Sequence, residues 1–288
     1  MSTRWFALTL CVPVPFDEAV CNFLFECGTT GLQTDEDDVQ TRVTAYFAAV
    51  PPIEAIRRFL ADIGVPDAAA GADLLHVDEI AEQDWAEHWK QHFIAQVVGR
   101  RLYVCPPWDS ACPPNTVPIV IEPGMAFGTG LHPTTRGCLE LLEAEIERTR
   151  TDRGLDLGTG SGILAIAMAK LGVADVRAVD NDPVARAVAA DNATRNGVAD
   201  RIVVCDSLDA AGGPFDLIVA NLFTNALIEF APRLVRLSEP PGAIICAGFV
   251  SDDEAAIRDT YTRSGWRVAS RREEAHWVTL QFTDARRR

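Results

Sequence analysis

The sequence predicts an α/β protein, in which a mostly parallel seven-stranded sheet flanked by helices follows a smaller N-terminal α+β domain. Three observations carry this. From Val117 onward, short apolar runs alternate with helical patterns, which calls for parallel strands joined by crossover helices. The stretch Gly154 to Gly162, GLDLGTGSG, leads an apolar strand into closely spaced glycines and then into ILAIAMAKLG, a strand, tight turn and helix. The first eighty residues read instead as strand, helix, strand, strand, helix, strand, the order of a ferredoxin-like βαββαβ domain.

In the front domain, Phe6, Leu8, Leu10 and Val12 alternate as a half-buried strand requires. Pro13 and Pro15 interrupt this run, so it is read as a strand and not as a secretory core. Val20, Phe23, Leu24 and Cys27 recur at helical spacing, and Gly28 stops that helix. A weak strand begins at Leu32 and enters the acidic turn Glu36 to Asp38, and Val43, Ala45 and Phe47 alternate in the next strand. Pro52 opens a helix with Ile53, Ile56, Leu60 and Ile63 on one face, Gly64 ends it, and Leu75 to Ile80 form the last strand. The expected division is residues 1–80 for this domain, 81–115 for a linker packed on its neighbours, and 116–288 for the large domain.

In the linker, Trp85, Trp89 and Phe93 share a helical face as packing residues, and RRLYVCPPWD makes a short strand. His88 and His92 stand at a metal-ligand spacing, but no third ligand presents itself, so no metal is expected.

The large domain's expected strands are Leu155 to Leu157, Asp175 to Val179, Arg201 to Cys205, Phe215 to Ala220, Ala243 to Ala247, Trp266 to Arg271 and Trp277 to Phe282. Helices are expected at Cys138 to Ile146, Ile163 to Leu171, Pro183 to Asn196, Ala226 to Leu237 and Asp253 to Ser264. The last two strands, joined by REEAH, form a hairpin that reverses the final strand. Upstream, residues 121–135 (IEPGMAFGTGLHPTT) read as a loop, with Thr134 or Thr135 able to cap the following helix.

Composition narrows the function. The net charge is −15, and residues 1 to 98 carry five basic against sixteen acidic residues, so that third alone holds −11. Such a surface repels phosphate backbones and attracts a basic protein, which disfavours direct nucleic-acid recognition. No apolar stretch is long enough to span a bilayer. The eight cysteines lack zinc spacing and read as free thiols in a reducing cytoplasm.

Chemistry gathers at the strand ends. Gly158 and Gly160 let the backbone turn sharply beside a ligand, and Asp180 closes the next strand where a carboxylate takes ribose hydroxyls. The dinucleotide fingerprint would need a glycine where Ile163 stands. A mononucleoside is therefore favoured over a dinucleotide, and with it a nicotinamide-dependent enzyme becomes the lesser alternative. Asp206 ends a further apolar run on the side where an adenine would lie, and Asn221 stands just past a buried strand on the ligand-binding edge.

With Asp156 in front, the glycine run resembles motif I of S-adenosylmethionine-dependent methyltransferases. DWAEHW, RLYVCPPW, MAFGTGLHPTT, LDLGTGSGILAIAMAKLG, DNDP, DNATRNGV and IVANL, in this order, resemble the ribosomal protein methyltransferase family that trimethylates protein eleven of the large subunit. The resemblance covers nearly the whole chain and implies a Rossmann-like methyltransferase sheet behind a substrate-recognition domain.

The resemblance further implies that Thr135, Gly158, Asp180 and Asn221 contact S-adenosylmethionine, with Phe127 and Thr129 in a closing loop. Asp156 and Gly160 fit the general motif, and Asp206 fits the adenine side. Asn221 and the backbone carbonyl of Leu222 are the implied acceptors that orient a neutral amine for in-line transfer. The implied substrate is a lysine ε-amine, or the N-terminal α-amine, of a basic ribosomal protein, modified by a cytoplasmic monomer. Lysine methyltransferases of electron transfer flavoprotein share much of this half and are the alternative, with a non-catalytic protein of the same fold behind them. After Asn221 the sequence LFTN departs from many relatives and leaves the shape of the amine pocket open.

Overall fold

The computed structural model describes residues 5–29, 31–36, 39–65, 75–80, 95–109, 111–122 and 132–284, in two compact units, residues 1–92 and 93–288. Trp85, His88, Trp89, His92, Phe93, Phe127 and Thr129 lie outside the described residues.

The first unit comprises β1 (Trp5–Pro13), α1 (Asp17–Glu26), β2 (Gly31–Glu36), β3 (Gln40–Phe47), α2 (Ile53–Asp62) and β4 (Leu75–Ile80). Its antiparallel sheet has the order β2-β3-β1-β4. Alternation puts Leu8, Leu10 and Val12 of β1 and Val43, Ala45 and Phe47 of β3 on one face, where Val20, Leu24, Ile56 and Leu60 of the two helices cover them. Phe23 stacks on Phe59 at 3.9 Å between ring centroids, joining the helices.

The second unit begins earlier than the sequence suggests. β5 (Gln96–Val98) and β6 (Leu102–Cys105) fall in the expected linker, yet they form a three-stranded sheet with β7 (Val117–Val120). Val98, Leu102, Val104 and Ile119 of this sheet share a core with Leu139 and Leu142 of α3 (Pro133–Arg148). The turn between β5 and β6 is held by buried Glu143 of α3, whose carboxylate accepts the Arg100 and Arg101 backbone N–H groups at 2.7 and 3.2 Å. β7 therefore completes this side sheet and is no part of the main one.

The main sheet contains β8 (Arg153–Leu157), β9 (Asp175–Val179), β10 (Ile202–Cys205), β11 (Phe215–Asn221), β12 (Ser238–Val250), β13 (Trp266–Glu274) and β14 (Trp277–Asp284). Its order is β10-β9-β8-β11-β12-β14-β13, parallel through β12 and antiparallel thereafter. The connecting helices are α4 (Ile163–Lys170), α5 (Pro183–Arg195), the short α6 (Leu208–Ala211), α7 (Thr224–Leu237) and α8 (Glu254–Arg263). Every α4 residue from Ile163 to Ala169 is buried, as its uninterrupted apolar sequence requires.

Strand order reverses between β8 and β11, so their carboxyl ends diverge into helices on opposite sides and leave a crevice there. Two elements differ from expectation. β12 is much longer than Ala243 to Ala247, because the chain enters extended pairing at Ser238 and absorbs the Pro-Pro-Gly segment as a register shift against β11. The final hairpin turns on only two residues, Ala275 and His276, both with left-handed φ, 47° and 68°.

Candidate active site

The crevice is built from the carboxyl ends of β8, β9 and β11 and the first turn of α3. Gly158 follows β8 with φ 75°, and Gly160 and Gly162 take φ 52° and 83°, so the loop needs all three glycines in left-handed conformation. Val179 at the end of β9 accepts the Gly158 and Thr159 N–H groups at 2.8 and 2.9 Å. The next residue, Asp180, accepts the Gly160 N–H at 2.9 Å through one oxygen and the Asp182 N–H at 3.0 Å through the other. Asp180 remains half-buried at the strand end, oriented by two backbone donors and with lone pairs left on both oxygens.

Asp156 lies beneath this loop and not on its ligand side. Its side chain is fully buried, and one oxygen accepts from Thr159 Oγ1 at 2.7 Å and from the Ala165 N–H at 3.1 Å. Burial pushes its carboxyl up to about 7; the Thr159 and Ala165 bonds oppose the rise, and the nearby Asp180 charge adds to it. Expected among the cofactor contacts, Asp156 instead ties the glycine loop to α4.

Across the crevice, a Cβ on Gly158 would run into the Leu222 side chain and come within 3.9 Å of the Asn221 carbonyl oxygen. The glycine lets the two strand ends approach. Leu222 donates its N–H to Ala247 of β12 at 2.9 Å. Gly248, with φ 97°, lies directly against the Leu222 peptide, whose N, C and O atoms would all collide with an added Cβ. Phe223 follows, 79% exposed, before α7 begins.

The third wall is α3. His132, and not Thr134 or Thr135, is its N-cap; Pro133 takes the first helical position, where its missing N–H costs nothing and its fixed φ fits. Asn221 Nδ2 donates to Thr134 Oγ1 at 3.2 Å, bringing β11 and α3 together. Thr135 is buried, and its hydroxyl has no hydrogen-bond partner among the described residues. Gly158, Gly160, Asp180, Asn221, Leu222, Thr134 and Thr135 thus line one region. Asp206 follows Cys205, whose carbonyl accepts the Asp180 N–H at 3.2 Å; it is exposed at the end of edge strand β10 and bonded to the Ser207 hydroxyl at 3.0 Å.

Asn192 and Asn196, one turn apart at the end of α5, went unrecognised as a pair in DNATRNGV. Asn192 donates to the Ser161 carbonyl at 2.9 Å and accepts the Glu122 N–H at 3.2 Å. Asn196 exchanges both of its amide groups with Val120, at 2.9 and 2.6 Å. Together they bind the glycine loop to the exit of β7. Among the described residues no cluster suits a metal ion, and no helix is long and apolar enough to cross a membrane.

A glycine turn and an acid on successive strand ends, at the switch point of a mostly parallel sheet with a reversed terminal hairpin, define an α/β protein of methyltransferase-like fold. The family model for ribosomal protein L11 methyltransferase (PrmA) matches residues 4–285. The ribosomal protein L11 methyltransferase of Syntrophotalea carbinolica is 35% identical over 304 residues, covering 98% of this chain and 99% of that one. That of Chloroflexus aurantiacus is 42% identical over 228 residues, 70% of this chain and 69% of its own. Among solved structures, the ribosomal protein L11 methylase of Lactobacillus delbrueckii subsp. bulgaricus superposes with a TM-score of 0.61 at 29% identity, over 66% of this chain and 98% of that one. The chain belongs to the ribosomal protein L11 methyltransferase family.

Proposed function

We propose that the chain is an S-adenosylmethionine-dependent N-methyltransferase acting, as a monomer, on lysine ε-amines and the N-terminal α-amine of ribosomal protein L11. The observation that carries this is the approach of Gly158 to Asn221 and Leu222 at the switch point, which sets a bare backbone opposite two amine acceptors. The residues fit the cofactor on a separate observation: the buried Thr135 hydroxyl lacks a partner among the described residues, a cost that a bound polar ligand relieves. We read the second unit as a Rossmann-like methyltransferase sheet. The first unit, with its acidic charge, is read as a ferredoxin-like module that recognises the basic substrate protein.

When bound, S-adenosylmethionine supplies a methyl group already activated by its sulfonium. Asp180 holds the ribose hydroxyls, and the loop at Gly158 and Gly160 admits the nucleoside. Thr135 and Asn221 hold the rest, and Asp206 faces the adenine side. Asp156 keeps the loop's shape. Asn221 Oδ1 and the Leu222 carbonyl accept the two amine hydrogens, which leaves the nitrogen lone pair free to attack. The exposed ring of Phe223 offers a wall for the aliphatic stem of the lysine.

Deprotonation is part of the cost. A lysine of ordinary pKa needs roughly 4 to 5 kcal/mol to be presented neutral at pH 7, an α-amine only about 1. The test is transfer of labelled methyl groups to purified L11, followed by hydrolysis and residue analysis. Label in methylated lysine, with a rate that climbs with pH more steeply than for the α-amine, is expected. Label on electron transfer flavoprotein with none on L11 would overturn the substrate assignment.

A further inference from the structure

We propose that His132 is a positioning residue for methyl transfer: through Thr134 it orients the Asn221 amide so that its oxygen, and not its nitrogen, is left to meet the substrate amine. This rests on reading Asn221 as an amine acceptor.

The proton count along three contacts carries it. His132 Nδ1 lies 2.7 Å from Thr134 Oγ1 and also accepts the Thr134 backbone N–H at 3.3 Å, as the cap of α3. An imidazole nitrogen that accepts a backbone N–H carries no proton, so the Thr134 hydroxyl spends its single proton on Nδ1. Thr134 Oγ1 can then only accept. It takes a hydrogen from Asn221 Nδ2 at 3.2 Å, and the opposite arrangement, with Asn221 Oδ1 toward Thr134, would set two acceptors face to face. The amide is locked by a neutral histidine two groups away.

A protonated His132 would undo this. Nδ1–H would point at the Thr134 N–H and hydroxyl, the hydroxyl proton would be released toward Asn221, and either face of the amide would be satisfied. The surroundings oppose that state. The ring meets the edge of Trp277 on β14 at 4.8 Å and 70°. Burial, then the Arg136 charge one turn along α3, lower the affinity of His132 for a proton; Glu274 on β13 acts in the opposite sense, and its carboxylate is paired with Arg136. These are the charged groups facing the ring among the described residues.

The test compares His132→Ala, His132→Asn and wild type, at saturating S-adenosylmethionine and L11, across pH. Asparagine serves well as an N-cap and offers Oδ1 as an acceptor that cannot become a donor at acid pH. We expect His132→Ala to lower kcat about tenfold, as for one lost orienting hydrogen bond, with cofactor Kd within about threefold. We expect His132→Asn to restore kcat to within about threefold of wild type. The pH profile separates positioning from a purely structural cap. Below the ordinary imidazole value of about 6.5, log kcat of wild type should fall more steeply than the slope of one set by the lysine, by an extra drop of up to about tenfold, and then return to a slope of one. In His132→Asn it should stay at one; titration of Asp156 is common to both and cancels.

Identical acid limbs in the two proteins overturn the proposal, as does a folded His132→Asn no faster than His132→Ala, or wild-type kcat in His132→Ala. Should His132→Ala melt too early to assay, the His132→Asn profile decides alone. Undiminished turnover in Asn221→Ala would instead sink the reading of Asn221 itself, leaving a distinguishable result.

Discussion

Gly248 on β12 and Leu222 after β11 touch through their backbones: the N, C and O atoms of the Leu222 peptide occupy the space that any side chain at 248 would need. The carbonyl proposed to accept a substrate hydrogen is thus seated on a residue that must lack a Cβ, and the 97° φ of Gly248 adds a second reason for glycine there. Gly248→Ala should push the Leu222 carbonyl out of place and lower kcat by about one to two orders of magnitude, since small misplacements at a reacting centre are costly. Cofactor affinity, set by the other side of the crevice, should change little. Steady-state kinetics with calorimetry of S-adenosylmethionine binding checks this, and a mutant of normal kcat would remove Leu222 from the chemistry.

Asp180 behaves in the opposite way. Its carboxylate is prepositioned by the Gly160 and Asp182 N–H groups, so the proposed ribose bonds form without reorganisation. Asp180→Ala should weaken S-adenosylmethionine binding by about 1.5 to 3 kcal/mol for each ribose bond lost. Asp180→Asn keeps the shape and loses the charge, so it should fall between the two. Calorimetry decides, and unchanged affinity in Asp180→Ala would mean that the ribose lies elsewhere.

Local pattern explains why some of this site was legible beforehand. Gly158, Asp180 and Asn221 each stand at the end of an apolar run, and in a parallel sheet every such end faces the same edge, so linear spacing alone brings them into one region. Gly248 stands in ICAGF, an unremarkable strand sequence, and its role exists only because β11 pairs beside it. Asn192 and Asn196 serve partners at Ser161 and Val120, 31 and 76 positions away, which no helical periodicity reports. His132 caps the helix although hydroxyls such as those of Thr134 and Thr135 are commoner caps, and with Pro133 at its first position the helix starts five residues before Cys138. Part of the presumed linker joined the second unit for a similar reason: a buried glutamate on α3, out of sight in the sequence, closes the β5–β6 turn.

Buried Asp156 has a consequence for stability. With its folded carboxyl near 7, the native state holds a proton that the unfolded chain has released above about pH 4. Between these values the native state binds more protons than the unfolded state, so this group's contribution to stability falls as pH rises, by up to about tenfold per pH unit in the unfolding equilibrium. Asp156→Asn retains an acceptor for Thr159 and Ala165 and cannot ionise. Urea unfolding at pH 5 and pH 8 should therefore show a larger loss of stability toward pH 8 in wild type than in the mutant. Equal losses would mean that Asp156 is ionised throughout and that burial does not control it.

The terminal hairpin carries strain that can be removed. Ala275 and His276 both take left-handed φ, 47° and 68°, in the two-residue turn between Glu274 and Trp277, where the twist of the strands favours a turn with both central residues left-handed. Asparagine followed by glycine is the pair suited to that turn, whereas alanine pays roughly 1 to 2 kcal/mol for a left-handed backbone. The strain persists because the arms are held by buried Val278, Leu280 and Phe282 and because the His276 carbonyl accepts the Ser251 N–H at 2.9 Å. Replacing Ala275 with Asn and His276 with Gly keeps that carbonyl and should stabilise the protein by about 1 kcal/mol or more. Thermal melting should show a rise of a few degrees, with kcat unchanged because both side chains are exposed. A lower Tm would mean that the imidazole of His276 holds the turn by a contact stronger than the backbone cost, and would shift attention to that side chain.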